Sequence, residues 1–170
     1  MDESRTAPGL HLSQARLYEE LRPELVAFAC WLTADRAVAE DVVQEALLRA
    51  WKSRDALKDP AAVKGWLLTI VRREHARLYE RKRLETIDLQ EIISREDSQL
   101  AVEGEGELMG LRLAILKLPD EYRVPLLMQV LGGFTTEEIA RELELSVPAV
   151  LTRLFRARNK LRSIYGLDAP

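Results

Sequence analysis

Apolar residues in this chain recur at three- or four-residue steps in one segment after another, and that spacing leaves little room for anything except helices. Leu17, Leu21, Leu25, Phe28 and Leu32 form one such stripe, and Val63, Trp66, Leu67, Ile70 and Val71 a second. Leu111, Ile115 and Leu118 form a third, and Val150, Leu154, Ala157 and Leu161 a fourth. Strand signals are weak: sustained alternation is absent, no Asn-Gly or Asp-Gly turn occurs, and aromatic residues make up 6%. The chain is predicted to be all-α.

Punctuation between the stripes sets the expected elements. A first helix spans about Ser13 to Leu32, with Pro23 marking either a kink or a boundary inside it. A second runs from near Asp35 to Trp51, about 24 Å at 1.5 Å per residue. KSRDALKDPAA then reads as a loop, with Pro60 opening a third helix that continues through Arg83. After residues 84–107, Pro119 stops the next stripe, and a helix from about Glu121 to Leu131 is closed by Gly132 and Gly133. Thr135 and Glu138 fit a capping box ahead of Ile139, Ala140 and Leu143, and Ser146 is placed to cap the last helix. The resulting division is a tail (1–12), a first helical domain (13–83), a linker (84–107) and a second helical domain (108–170).

The net charge is -3, an unpromising total for a nucleic-acid binder, but the charges are segregated. Residues 72–83 hold six Arg or Lys and two Glu, and residues 151–162 hold five basic residues and no acid. Between them, residues 84–107 hold eight acids and one Arg. Cys30 is the only cysteine, so no intramolecular disulfide forms, and with His11 and His75 it does not make up a zinc site. No metal or cofactor is expected. Nor is an enzyme expected, because no Gly-rich phosphate loop and no nucleophile or acid-base set stands apart from solvated helix faces. The start, MDESRTAPGLHL, lacks a secretory pattern, and no apolar run approaches the roughly 20 residues a membrane helix needs. The cytoplasm is the expected compartment, with no membrane insertion.

Three surfaces stand out. Helices over 136–144 and 147–162, joined by a short turn, have the proportions of a helix-turn-helix. With the fourth stripe inward, a turn of about 100° per residue puts Ala149, Thr152, Arg153, Arg156 and Lys160 outward, where Arg and Lys suit phosphates and guanine edges. In AEDVVQEALLRAW (39–51), Glu40, Asp41, Gln44, Glu45 and Leu48 share one side and could dock a basic helix. Trp66, followed by Arg77, Arg81, Lys82 and Arg83, combines stacking with phosphate attraction, as single-stranded DNA binding requires. Each surface also has a plainer reading: a solvated basic face, a solvated acidic face, and a tryptophan packed in the core beside Val63 and Ile70.

In order along the chain, these residues resemble the extracytoplasmic-function sigma factors. AEDVVQEALLRAW followed by GWLLTIVRREHARLYERKR is similar to the family's region two, and LRLAILKLPDEYRVPLLMQVLGGFTTEEIARELELSVPAVLTRLFRARNKLR to its region four. The resemblance covers about residues 15–165. It implies that Asp41, Gln44 and Glu45, with Glu40 and Leu48 beside them, grip the basic coiled coil of the polymerase beta-prime subunit, and that the beta flap is a second contact. It implies that the loop from Leu57 to Lys64 and the basic helix from Arg72 hold the minus-ten element, through Lys58, Lys64, Trp66, Arg72, Arg73, Arg77 and Arg81. Ala149, Thr152, Arg153, Arg156 and Lys160 are then the reading face for the minus-thirty-five element. The resemblance also implies that the acidic linker threads toward the polymerase active-site and RNA-exit channels, and that an anti-sigma factor holds the protein inactive.

Three departures from the family pattern bear on base preference: Arg73 replaces a usual Asn, and Pro148 and Leu151 replace the Gly and Lys that commonly open the recognition helix. Two rival expectations stand beside the sigma factor. One is a helix-turn-helix regulator with an N-terminal sensing or dimerisation domain, and the other is a helical adaptor or anti-sigma antagonist that binds protein only.

Overall fold

A computed structural model of the protein describes residues 8–84 and 106–164, and these hold helices and no strand. The predicted tail up to Ala7 and all but the ends of the predicted linker lie outside the described residues, as do the side chains of His11, Lys82 and Arg83.

The first unit is built from α1 (Pro8–Thr33), α2 (Arg36–Lys52) and α3 (Val63–Leu84). Leu25, Phe28, Ala29 and Leu32 turn the inner side of α1 onto Ala39, Val42, Val43, Ala46 and Ala50 of α2, all buried. Small residues at three of those five positions let the two helix axes approach closely. From α3, Val63, Leu67, Leu68 and Val71 complete the three-way contact. The helix α1 runs through Pro23, which rules out a boundary there. Pro23 is exposed, so water can serve the Glu19 carbonyl that the missing N–H leaves unbonded.

A tight corner joins α1 to α2. Ala34 adopts a left-handed conformation (φ 61°), its N–H donating to the Cys30 carbonyl at 3.0 Å, and its methyl is buried. Asp35 then caps α2, its carboxylate accepting from the N–H groups of Ala37 at 2.9 Å and Val38 at 3.3 Å. Where the sequence suggested plain loop, two single 3₁₀ turns occur, Arg54–Ala56 and Pro60–Ala62. Pro60 therefore opens a short turn capped by Asp59, and α3 itself starts at Val63.

The second unit comprises α4 (Gly106–Leu116), α5 (Asp120–Val130), α6 (Thr136–Leu143) and α7 (Val147–Ile164). The helix α4 begins at Gly106, inside the stretch read as linker. Four consecutive residues of α5, Pro125 to Met128, are buried, which requires cover on every side. Contacts with α6, α7 and α1 supply it. Between α5 and α6 the chain turns at Gly132, where a Cβ would lie 2.7 Å from the Met128 carbonyl oxygen. Thr135 and Glu138 form the predicted capping box: Glu138 N–H donates to Thr135 Oγ1 at 3.2 Å, and Thr135 N–H to Glu138 Oε2 at 2.8 Å. At the C-terminus of α6, Glu144 takes a left-handed conformation (φ 56°), and Leu145 N–H closes the turn onto the Ala140 carbonyl at 2.9 Å.

The two units share a continuous core, because α1 packs against α4 and α5 as well as α2 and α3. At this seam the Arg112 guanidinium of α4 stands 5.3 Å from the centre of the Trp31 ring. No helix among the described residues is long and apolar enough to cross a membrane.

Candidate nucleic-acid interface

The helix pair α6 and α7 presents the first surface. Val150, Leu154 and Ala157 are buried, as the apolar seam required, and Ser146 Oγ accepts from Ala149 N–H at 3.3 Å to cap α7. On the far side Thr152, Arg156 and Lys160 are exposed, and Ala149 and Arg153 are half-buried. Four of these five outward residues (all but Lys160) line a shallow cavity of about 360 Å³ with Pro148, Glu121 and Tyr122. Thr152 Oγ1 donates to the Pro148 carbonyl at 3.0 Å, so its oxygen faces outward only as an acceptor. Lys160 Nζ lies 5.6 Å from the centre of the Tyr122 ring. Sequence reasoning missed Glu121 and Tyr122, because they lie on α5 and reach the face only through the packing of α5 on α7.

The acidic side of α2 is the second surface. Glu40, Asp41, Gln44, Glu45 and Leu48 are all exposed. Glu40 pairs with Arg36 at 3.2 Å, one turn back, while Glu45 lies 3.6 Å from Arg49. Asp41 and Glu45 form one wall of a groove of about 490 Å³ between α2 and α3, whose other wall carries Arg77, Leu78 and Arg81. At its base Glu74 is buried, ion-paired with Arg49 and, at 3.5 Å, with Arg77. Arg77 and Arg81 thus stand beside the acidic face of α2 and apart from Trp66.

The third surface gathers only part of the residues expected in it. Lys58, Trp66 and Arg73 line one cleft of about 720 Å³, together with Asp59, Thr69 and, across from them, Gly132 to Phe134, Arg141 and Glu142. Trp66 is half-buried, packed against the core and bordering the cleft. Lys64 turns away and pairs with Glu24 of α1 at 2.6 Å. Arg72 and Arg73 both bind Glu142 of α6, at 2.7 Å and 2.8 Å. Nothing in the linear sequence signals that pairing, nor the presence of Arg141 in the cleft. Among the described residues no three His, Cys, Asp or Glu side chains gather as a metal site requires.

Fold and surfaces together define an all-helical protein of two units, the second a helix-turn-helix, with exposed basic residues on both and an acidic helix face on the first. The sigma-70 region 2 family matches residues 17–85, and the sigma-70 region 4 family matches residues 108–161. The chain is 32% identical over 147 residues to the ECF RNA polymerase sigma factor EcfG of Rhodopseudomonas palustris, covering 86% of this chain and 81% of that protein. It is 32% identical over 153 residues to the ECF RNA polymerase sigma factor SigL of Mycobacterium tuberculosis, covering 86% and 85%. Among solved structures it is similar to the sigma factor RpoE of Bartonella quintana, crystallised with the anti-sigma factor NepR. The TM-score is 0.70 at 25% identity, over 92% of this chain and 99% of that one. The chain belongs to the ECF RNA polymerase sigma factors.

Proposed function

We propose that this chain directs RNA polymerase to promoters by a division of labour among its three surfaces and performs no covalent chemistry itself, working beside the polymerase in the cytoplasm. The exposed acidic face of α2, through Glu40, Asp41, Gln44, Glu45 and Leu48, receives the basic coiled coil of the polymerase beta-prime subunit. Lys58, Trp66, Arg72 and Arg73 hold the displaced strand of the minus-ten element by stacking and phosphate attraction. Ala149, Thr152, Arg153, Arg156 and Lys160 read the minus-thirty-five element as duplex. The observation that carries this reading is the segregation of charge: an exposed acidic wall on α2, and cationic surfaces on two separate units, in a chain with a net charge of -3. Such a chain binds DNA weakly until a scaffold holds both units on one promoter and raises their effective concentration. Because RpoE was crystallised with NepR, a protein antagonist of that kind is proposed for this chain too.

Arg77 and Arg81 have a different role in this reading. They flank Asp41 and Glu45, and so set the charge of the groove from the α3 side.

The test is run-off transcription with core polymerase on genomic promoters, alongside pull-down of core enzyme. Asp41→Lys with Glu45→Lys is expected to abolish both. Arg153→Ala with Arg156→Ala is expected to keep the pull-down while weakening transcription from promoters that depend on the upstream element. The slope of log affinity against log salt should then fall by about 2 if each arginine meets one phosphate. No new start sites with the parent chain, or a pull-down indifferent to the paired lysine substitutions, would refute the reading.

A further inference from the structure

Two arginines and one carboxylate join α3 to α6 across the cleft. Arg72 Nη2 donates to Glu142 Oε1 at 2.7 Å, while Arg73 donates through Nε to Oε1 at 2.8 Å and through Nη2 to Oε2 at 3.0 Å. The side chain of Glu142 is only 11% exposed and that of Arg72 15%, whereas Arg73 remains 59% exposed. This is fork geometry: one guanidinium takes both oxygens of a delocalised anion and a second takes one of them. A phosphodiester offers a guanidinium the same pattern, two oxygens sharing one negative charge.

The surroundings match that likeness. Lys58 and Trp66 line the same cleft as Arg73 and Glu142, with Gly132 to Phe134 of the second unit facing them. A strand lying on Trp66 and reaching Arg73 would therefore need the volume that Glu142 and its turn now fill. The clasp sets two guanidinium groups against one carboxylate, while Lys58 and Arg141 offset Asp59 and Glu138 in the rest of the lining, so one positive charge is left over.

We propose that Glu142 is an internal stand-in for a DNA phosphate, and that its clasp on Arg72 and Arg73, added to the seam of α1 on α4 and α5, holds the isolated chain closed, with the minus-ten surface shut against the helix-turn-helix. The proposal rests on the assignment of Arg72 and Arg73 to that surface made above. A scaffold that holds the two units apart removes Glu142 from the arginines and leaves them for the strand. Without it, single-stranded DNA must compete with a tethered anion, and apparent affinity falls by the fraction of molecules that are open.

The experiment uses the full chain without polymerase and a fluorescein-labelled oligothymidylate read by fluorescence anisotropy at low salt, with the radius of gyration measured by X-ray scattering. Glu142→Gln keeps the shape of the side chain and removes its charge. With a closed form about ten times more populated than the open one, it raises oligonucleotide affinity about ten-fold and increases the radius. Adding Arg72→Ala and Arg73→Ala abolishes that gain. Exchanging the charges, Arg73→Glu with Glu142→Arg, restores the compact radius but not the binding, which separates a clasp from a fold that has simply loosened.

A Glu142→Gln protein with unchanged affinity overturns the clasp, whatever its radius. If binding also ignores the loss of both arginines, the minus-ten assignment falls with it. If only the clasp fails, removal of the arginines still weakens binding.

Discussion

The capping box at the head of α6 offers a quantitative check on how the helix-turn-helix is held. Thr135→Ala removes the acceptor of the Glu138 N–H, a 3.2 Å bond, but leaves the Thr135 N–H able to reach Glu138 Oε2 at 2.8 Å. Only one of the two reciprocal bonds is lost, so the expected cost is about 1 kcal/mol, the usual value for an N-cap hydroxyl. For a chain of this size that corresponds to a fall in Tm of about 2–4 °C. The helix has only 8 residues, so little of the loss can be absorbed by fraying further along it.

Thr135→Ser keeps the hydroxyl and should unfold with the parent. Glu138→Ala removes the other bond and a negative charge from the positive end of the helix, adding about 0.3–1 kcal/mol of its own. The double substitution should cost less than the sum of the two, because each partner's bond is the other's support. Urea and thermal unfolding followed by circular dichroism measure all four proteins. A Thr135→Ala protein within about 0.3 kcal/mol of the parent, or a Thr135→Ser protein as weak as Thr135→Ala, would refute the reasoning.

Two further outcomes are expected. Leu154 of α7 is almost wholly buried, so Leu154→Ala should destabilise by about 2–5 kcal/mol while Leu154→Met costs less than about 1.5 kcal/mol, read from urea midpoints. Burial pushes the Cys30 thiol above its ordinary pKa, with Arg112 only partly opposing the shift. A raised folded-state pKa means full stabilisation below the unfolded thiol range and progressive loss as pH rises through it toward the folded value. Alkaline unfolding should therefore become less steep in Cys30→Ala, and native Cys30 should react with a thiol reagent far more slowly than the urea-unfolded chain.

Local rules carried most of the fold. Helix positions, the Asp35 and Ser146 caps and the Thr135–Glu138 box depend on residues within a few positions of one another, so their physics is written in adjacent letters. The outward face of α7 was legible for the same reason, since its apolar seam fixes which side remains. Pro23 and Pro60 were harder, because proline excludes a bond without saying whether water or a short turn replaces it. What the letters did not contain was tertiary: Arg72 and Glu142 are 70 residues apart, and the helix phase that turns Arg77 and Arg81 toward Asp41 depends on how α3 lies on α2. A run of basic residues reads as one patch in a line of text, yet on a helix it wraps around more than one side.

The placement of the tryptophans has a practical consequence. Trp51 sits within the first unit, edge-on to Tyr18 with its ring centre 6.4 Å away, whereas Trp31 lies beneath Arg112 and Trp66 borders the inter-unit cleft. Any parting of the halves would strip neighbours from two of three indoles and leave the third undisturbed. The molecule thus carries its own optical gauge, and its emission spectrum can follow the parting of the halves in the isolated chain without an attached dye.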